Sequence, residues 1–176
     1  MTSLDVNGTL QLSANGSGNL VNGTIFASGN IYVNDYGSGG ESTRLRVDGA
    51  TDQLISATGG GANSLSGITF ASTGGTVTMQ GNMQVRFEFR HISGTVDMSN
   101  STIRLVNNAT ATLDPGPIQF NNLFIYKNTG AATLTEDITV LGDLRIGTDT
   151  INGNYDIFLH GNFFLESFSG VTSNEI

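Results

Sequence analysis

Residues 119–167 read QFNNLFIYKNTGAATLTEDITVLGDLRIGTDTINGNYDIFLHGNFFLES. Within this stretch one instruction is given three times. Asn122 precedes Leu123-Phe124-Ile125, Asp143 precedes Leu144-Arg145-Ile146, and Asn162 precedes Phe163-Phe164-Leu165, at steps of 21 and 19 residues. Apolar, variable, apolar is the period-two pattern of a strand with one face buried. A polar turn residue in front of each triplet marks a corner, because Asn, Asp and Gly tolerate the backbone that a sharp bend requires.

Upstream, the same triplet recurs at Ile31-Tyr32-Val33, Leu45-Arg46-Val47, Ile68-Thr69-Phe70, Val85-Arg86-Phe87 and Ile103-Arg104-Leu105, and the successive steps from Ile31 are 14, 23, 17, 18, 20, 21 and 19. A second series begins at Gly75, Gly94, Ala109, Gly130 and Gly147, each opening a segment such as Gly75-Thr76-Val77-Thr78-Met79. A third is seen in DITVLG (137–142) and DIFLHG (156–161). Two or three short strands per repeat, separated by turn residues, predict a solenoid, since one winding cannot bury its inner face without the next. The expected fold is all-β: a single right-handed parallel β-helix over residues 1–176, of about nine coils of roughly 19 residues, forming a rod roughly 40 Å long. The first coils are expected from Leu4 and Leu10, and Gly/Ser-rich segments 37–42 and 59–64 read as loop inserts. An antiparallel hairpin array would need regular two-residue turns. Asn-Gly occurs at 7–8, 15–16, 22–23 and 152–153 and does not punctuate the periodic middle.

Composition narrows the function. The 176 residues carry a net charge of −8 with only seven Lys and Arg, so no basic stripe for nucleic acid or an anionic membrane surface is expected. Cysteine is absent, which removes disulfides, thiolate zinc sites and thiol catalysis. No apolar run approaches the length of a membrane helix, so no membrane insertion is expected. MTSLDVNGTL has no basic segment followed by an apolar one, so no signal peptide is read there, and the chain is expected to be a segment of a longer solenoid.

The stretch 119–167, through FNNLFI, TLTEDITVLGDLRI and the GN before an apolar pair, resembles the repeats of very large bacterial surface proteins with right-handed β-helical stalks. The resemblance extends over the last hundred or so residues. It implies an elongated, extracellular or cell-surface module with a structural or adhesive role; neighbouring coils of the parent protein are the expected partners, with surface glycans a further candidate on an outward face. It carries over no catalytic residue, and fold alone does not give an activity.

Three surfaces are candidates for chemistry. Alternation aligns Tyr32, Arg46, Thr69, Arg86, Arg104, Phe124, Arg145 and Phe164 on the outside, and a guanidinium over an aromatic ring is a favourable contact of the kind that also grips sugars. Tyr32, Arg46, Arg86, Arg104, Phe124, Arg145 and Phe164 are therefore read as a glycan face; the plain alternative is a solvated outer sheet. Thr76, Thr78, Thr95, Thr110, Thr112, Thr133, Thr148 and Thr150 form a second outward row, similar to ice-binding faces but also simply good strand residues. Asp149, Asn152, Asn154 and Asp156 offer oxygen ligands for calcium but match neither an EF-hand loop nor the glycine-rich nonapeptide pattern; solvated turn residues are the better reading, and no cofactor or metal is expected. Arg86, Glu88 and Arg90, with His91 next, read as a row of surface ion pairs. No nucleophile elbow, phosphate loop or dinucleotide fingerprint occurs, and a non-catalytic role is expected. A polysaccharide lyase or hydrolase on the same scaffold, and a crystal-binding protein, are the alternatives.

Overall fold

A computed structural model describes residues 2–13, 23–36, 44–58, 63–106, 109–127, 130–147 and 151–166. Sixteen strands and no helix are found among them. In chain order they are β1 (Thr2–Val6), β2 (Leu10–Ser13), β3 (Gly23–Ala27), β4 (Ile31–Asn34), β5 (Arg44–Val47), β6 (Gln53–Ala57), β7 (Ser64–Val106) and β8 (Ala111–Asp114), followed by β9 (Gln119–Phe120), β10 (Asn122–Tyr126), β11 (Ala132–Leu134), β12 (Ile138–Val140), β13 (Leu144–Ile146), β14 (Ile151–Asn152), β15 (Ile157–Leu159) and β16 (Phe163–Leu165).

Among the described residues no antiparallel hairpin joins neighbouring strands; where chain neighbours pair, as β6 with β7 and β7 with β8, they do so in parallel. Each pairs in parallel with the strand one winding away: β1 with β3, β3 with β5, β2 with β4, β10 with β13, β13 with β16, and β12 with both β9 and β15. This is a parallel β-solenoid. The expected column is present residue for residue, with Ile103 beside Leu123, Leu123 beside Leu144 and Leu144 beside Phe163. Inward positions away from the ends of the described stack are fully enclosed: Ile103, Leu123, Phe70, Phe89 and Phe120 are each 0% exposed, whereas Phe163 in the last described strand is 56% exposed. The rings of Phe70, Phe89 and Phe120 pack in series with centroids 5.4 and 5.2 Å apart, a spacing that favours tilted aromatic contacts.

Counted strand to strand with β7 as one element, the path from β1 to β16 makes about six turns, fewer than the nine expected. The register explains the difference. Ile138 stacks on Ile157, a step of 19, but Ile31 stacks on Ile55, a step of 24. The shorter steps of 14 and 17 in the sequence pass between different faces of one winding. Leu4 and Leu10 likewise start two faces of the same winding, since β1 continues into β3 and β2 into β4. The 43-residue β7 threads three faces: residues 67–70 pair with β5, 77–81 with β6, and 102–106 with β10. Segment 37–42 lies outside the described residues, but Asn63 and Ser64, expected in an insert, are 1% exposed. Asn63 fills a corner, donating from Nδ2 to the carbonyls of Ala57 and Asn82 and accepting the Asp35 N–H at Oδ1.

The corners are held by polar ladders along the axis. Asn122 Nδ2 donates to Thr102 Oγ1 (3.3 Å), the Asp143 N–H donates to Asn122 Oδ1 (2.8 Å), and Asn162 Nδ2 donates to Asp143 Oδ1 (3.0 Å). Close approach requires glycine at this corner: a Cβ on Gly161 would lie 2.1 Å from the Gly142 carbonyl oxygen. A lysine serves inside. Lys127 is 2% exposed, and its Nζ donates to the carbonyls of Arg86 (2.7 Å) and Val106 (2.9 Å), two windings of the stack. Burial pushes its pKa down to about 8.

Two outcomes are expected. Leu123→Ala lowers the unfolding free energy by about 2–5 kcal/mol in urea titration, as for other fully enclosed leucines, while Leu4→Ala, at a site 48% exposed, costs less than about 1 kcal/mol. For Lys127 the folded state has the lower pKa, so between pH 8 and 10 the unfolded chain binds more protons and stability rises with pH. The gain between pH 7 and 9.5 is expected to reach at most about 3 kcal/mol, and the rise is absent from Lys127→Met.

Candidate functional site

The outward face of β10, β13, β16 and the end of β7 carries an ordered stack. Parallel register sets Arg104 beside Phe124, Phe124 beside Arg145, and Arg145 beside Phe164. Adjacent strands are about 4.8 Å apart, so each guanidinium lies over a ring from the next winding. Arg104 Cζ is 5.7 Å from the Phe124 centroid and 5.3 Å from that of Tyr126; Arg145 Cζ is 5.0 Å from Phe124 and 4.4 Å from Phe164. Phe124 and Tyr126 meet edge to face at 6.0 Å. The buried Nε atoms of Arg104 and Arg145 have no hydrogen-bond partner among the described residues; the rings flank both guanidinium groups. Each such contact is worth about 0.5–1 kcal/mol when exposed.

One end of the stack is pinned by carboxylates. Arg145 Nη1 donates to Glu166 Oε1 at 2.9 Å, its Nη2 is 3.6 Å from Asp143 Oδ2, and the Tyr126 hydroxyl donates to Glu166 Oε2 at 2.9 Å. The Tyr126 bond and the Arg145 contact both favour ionised Glu166 and hold its carboxyl below the usual range. Burial, and then the bond to Glu166, push the Tyr126 phenol up.

The expected single line of eight outward residues divides among faces. Arg104, Phe124, Arg145 and Phe164 are together. Arg86 is half-buried, its Nε donating to Ser64 Oγ at 3.1 Å. Tyr32 stands on β4 between Gln11 and Ser56. Arg46 and Thr69 stand on another face, in register with Phe26. Arg86 meets Ser64 while Glu88 stands beside Thr112 and reaches Arg44, so the expected row of ion pairs along one strand does not form among the described residues. Glu88 pairs instead with Arg44 at 3.3 Å and Arg90 with Asp114 at 3.3 Å, both across windings. His91 Nε2 lies 2.9 Å from the Gly94 carbonyl.

The threonine row divides in the same way. Thr78 is beside Leu54, whereas Thr112 is beside Glu88 on one side and Thr133 on the other, and Thr133 is beside Asn152. The Thr76 N–H bonds Asp52 Oδ1, Thr95 and Thr110 are exposed, and Thr148 and Thr150 lie outside the described residues. Of the candidate calcium ligands, Asn152, Asn154 and Asp156 are exposed, the Asp156 N–H bonds Asp137 Oδ1, and Asp149 lies outside the described residues. No group of three or more metal-binding side chains occurs among the described residues.

Sequence reasoning missed Tyr126 and Glu166 as members of the stack. Tyr126 continues the alternation of Phe124 by two residues and was open to discovery; Glu166 follows the final triplet and carries no periodic signal. No family model, curated protein or solved structure matches this chain.

The network makes a spectroscopic prediction. In carbon-detected titration the Glu166 carboxyl is expected to titrate below the ordinary glutamate range, and Tyr126→Phe is expected to bring it back up. A Glu166 midpoint unchanged by that substitution removes the Tyr126 bond from the account.

Proposed function

We propose that this chain is a non-catalytic structural segment of a large secreted or cell-surface bacterial protein, a solenoid that stacks on neighbouring coils of its parent and binds surface glycans on its Arg–aromatic face. The reading is carried by one observation, the alternating Arg104–Phe124–Arg145–Phe164 stack on an outward sheet. Phe164, fixed by Arg145 over its ring, offers its remaining apolar surface for the C–H face of a sugar to pack against, while guanidinium edges donate to the sugar hydroxyls. Phe164 is 37% exposed and so open to such a contact. An elongated scaffold whose repeats touch only their neighbours suits projection and display. The likeness of residues 119–167 to stalk repeats of bacterial surface proteins supports the location and the parent.

The test is binding of the purified chain to immobilised neutral and acidic polysaccharides. Retention is expected on at least one class, with Phe164→Ala and Arg145→Gln each reducing it at least fivefold. Equal retention of both variants and the wild type removes the glycan face, and release of shortened or unsaturated sugars from any of these polymers overturns the non-catalytic reading.

A further inference from the structure

A second site lies on a different face, where β3, β5 and β7 stack. Their outward side chains enclose a shallow depression of about 270 Å³. Gly67 forms it. In register, Gly67 follows Arg44, and a Cβ placed on it would lie 3.3 Å from the Glu88 carbonyl oxygen and 3.5 Å from Arg44 Cγ. With no side chain on that winding, Arg44 and Glu88 close over the gap and pair at 3.3 Å. They wall one side of the depression. Phe26 and Arg46, adjacent in register, line another part, with Arg46 Cζ 5.9 Å from the Phe26 centroid. Arg90 and Ile92 also line it, and Ile92 is 49% exposed. Leu45, Thr24 and Thr69 complete the lining.

The charges are unequal. Arg44 is matched by Glu88 and Arg90 by Asp114, but no carboxylate pairs with Arg46 among the described residues. This occurs in a chain whose net charge is −8 and which has six arginines in all. A planar guanidinium without a carboxylate of its own is matched by a bidentate external carboxylate. Around it stand two threonine hydroxyls and the Glu88 carboxylate for hydroxyl groups, and Phe26 and Ile92 for an apolar ring face. The volume falls just below the usual range for small-molecule pockets, which suits one ring and not an extended chain.

From this geometry we infer a binding site for a single carboxylated monosaccharide unit, with Arg46 taking its carboxylate, Thr24, Thr69 and Glu88 its hydroxyls, and Phe26 its ring. The site is independent of the Arg–aromatic stack. No residue of that stack lines the depression, so the loss of either reading leaves the other standing.

The experiment is amide-resolved titration of the ¹⁵N-labelled chain with D-glucuronate, glucose, glucose 6-sulfate and acetate as separate probes. Glucuronate is expected to shift the signals of residues 24–26, 44–46 and 67–69 and to bind at least tenfold more tightly than the other three. Arg46→Gln is expected to weaken it at least tenfold, Arg46→Lys less, since charge is kept and the fork lost, and Arg104→Gln not at all. These are surface positions, and retention of the wild-type amide spectrum in each variant checks folding. Glucuronate no tighter than glucose, or unaffected by Arg46→Gln, overturns the site. Acetate as tight as glucuronate overturns the sugar assignment, a preference for the sulfate overturns the carboxylate, and shifts confined to residues 104, 124, 145 and 164 assign all binding to the other face.

Discussion

The hydrogen bonding of each winding to the one before and after it, in register, is the constraint from which the other features follow. The Leu123 N–H reaches the Asp143 carbonyl at 3.0 Å and the Leu144 N–H reaches that of Asn162 at 2.9 Å, so the backbone of one winding is satisfied only by its neighbours. Register then dictates composition. Whatever stands at one position is a strand spacing from its counterparts above and below. Inside, this brings Leu onto Leu and Phe onto Phe, with the benefit of continuous apolar columns. At corners it brings Asn onto Asp onto Asn, each side chain capping the backbone or the side chain of the next.

The same rule is unfavourable for charge. Two like charges a strand spacing apart on an exposed sheet repel. The outward columns avoid this: Arg46 is followed by Thr69, Arg104 by Phe124 and Arg145 by Phe164. Where two arginines, Arg104 and Arg145, approach a common ring, that ring, Phe124, is the neutral residue between them. The chain is acidic overall, but its few arginines are concentrated on two faces, and each face offers a different partner: a stack of rings pinned by carboxylates in one case, a depression with an unmatched guanidinium in the other.

Much of this was legible in the sequence, and the limits are physical. The triplets at 123, 144 and 163 share both their spacing and their preceding Asn or Asp, so the corner identified the face, and the column was read correctly down to single residues. Nearer the N-terminus the triplets at Ile31 and Leu45 share the pattern but belong to different faces, Ile31 pairing with Ile55 and Leu45 with Ile68. Alternation says which side of a strand is buried; it does not say which side of the solenoid the strand occupies. Only the pairing partner does, and this is why the turn count was too high and the outward line too long. Lys127 was illegible for another reason. A lysine among Asn and Thr reads as solvated surface, and nothing local reveals that its ammonium is enclosed between two carbonyls of preceding windings. Asn63 carried the same ambiguity, since the residue type that fills a corner ladder also fills loops.

The alternation of arginine and ring sets a unit of growth larger than the winding itself. Arg104 and Arg145 are 41 residues apart, and Phe124 and Phe164 are 40. Duplicating or deleting one turn within this region would seat guanidinium on guanidinium or ring on ring, and the first of these leaves two neighbouring cations without the quadrupole that now separates them. Gaining or losing a pair of turns preserves the phase. The backbone would accept either change, so it is this outer column that makes forty residues, not twenty, the increment by which such a rod can be lengthened without rewriting its surface.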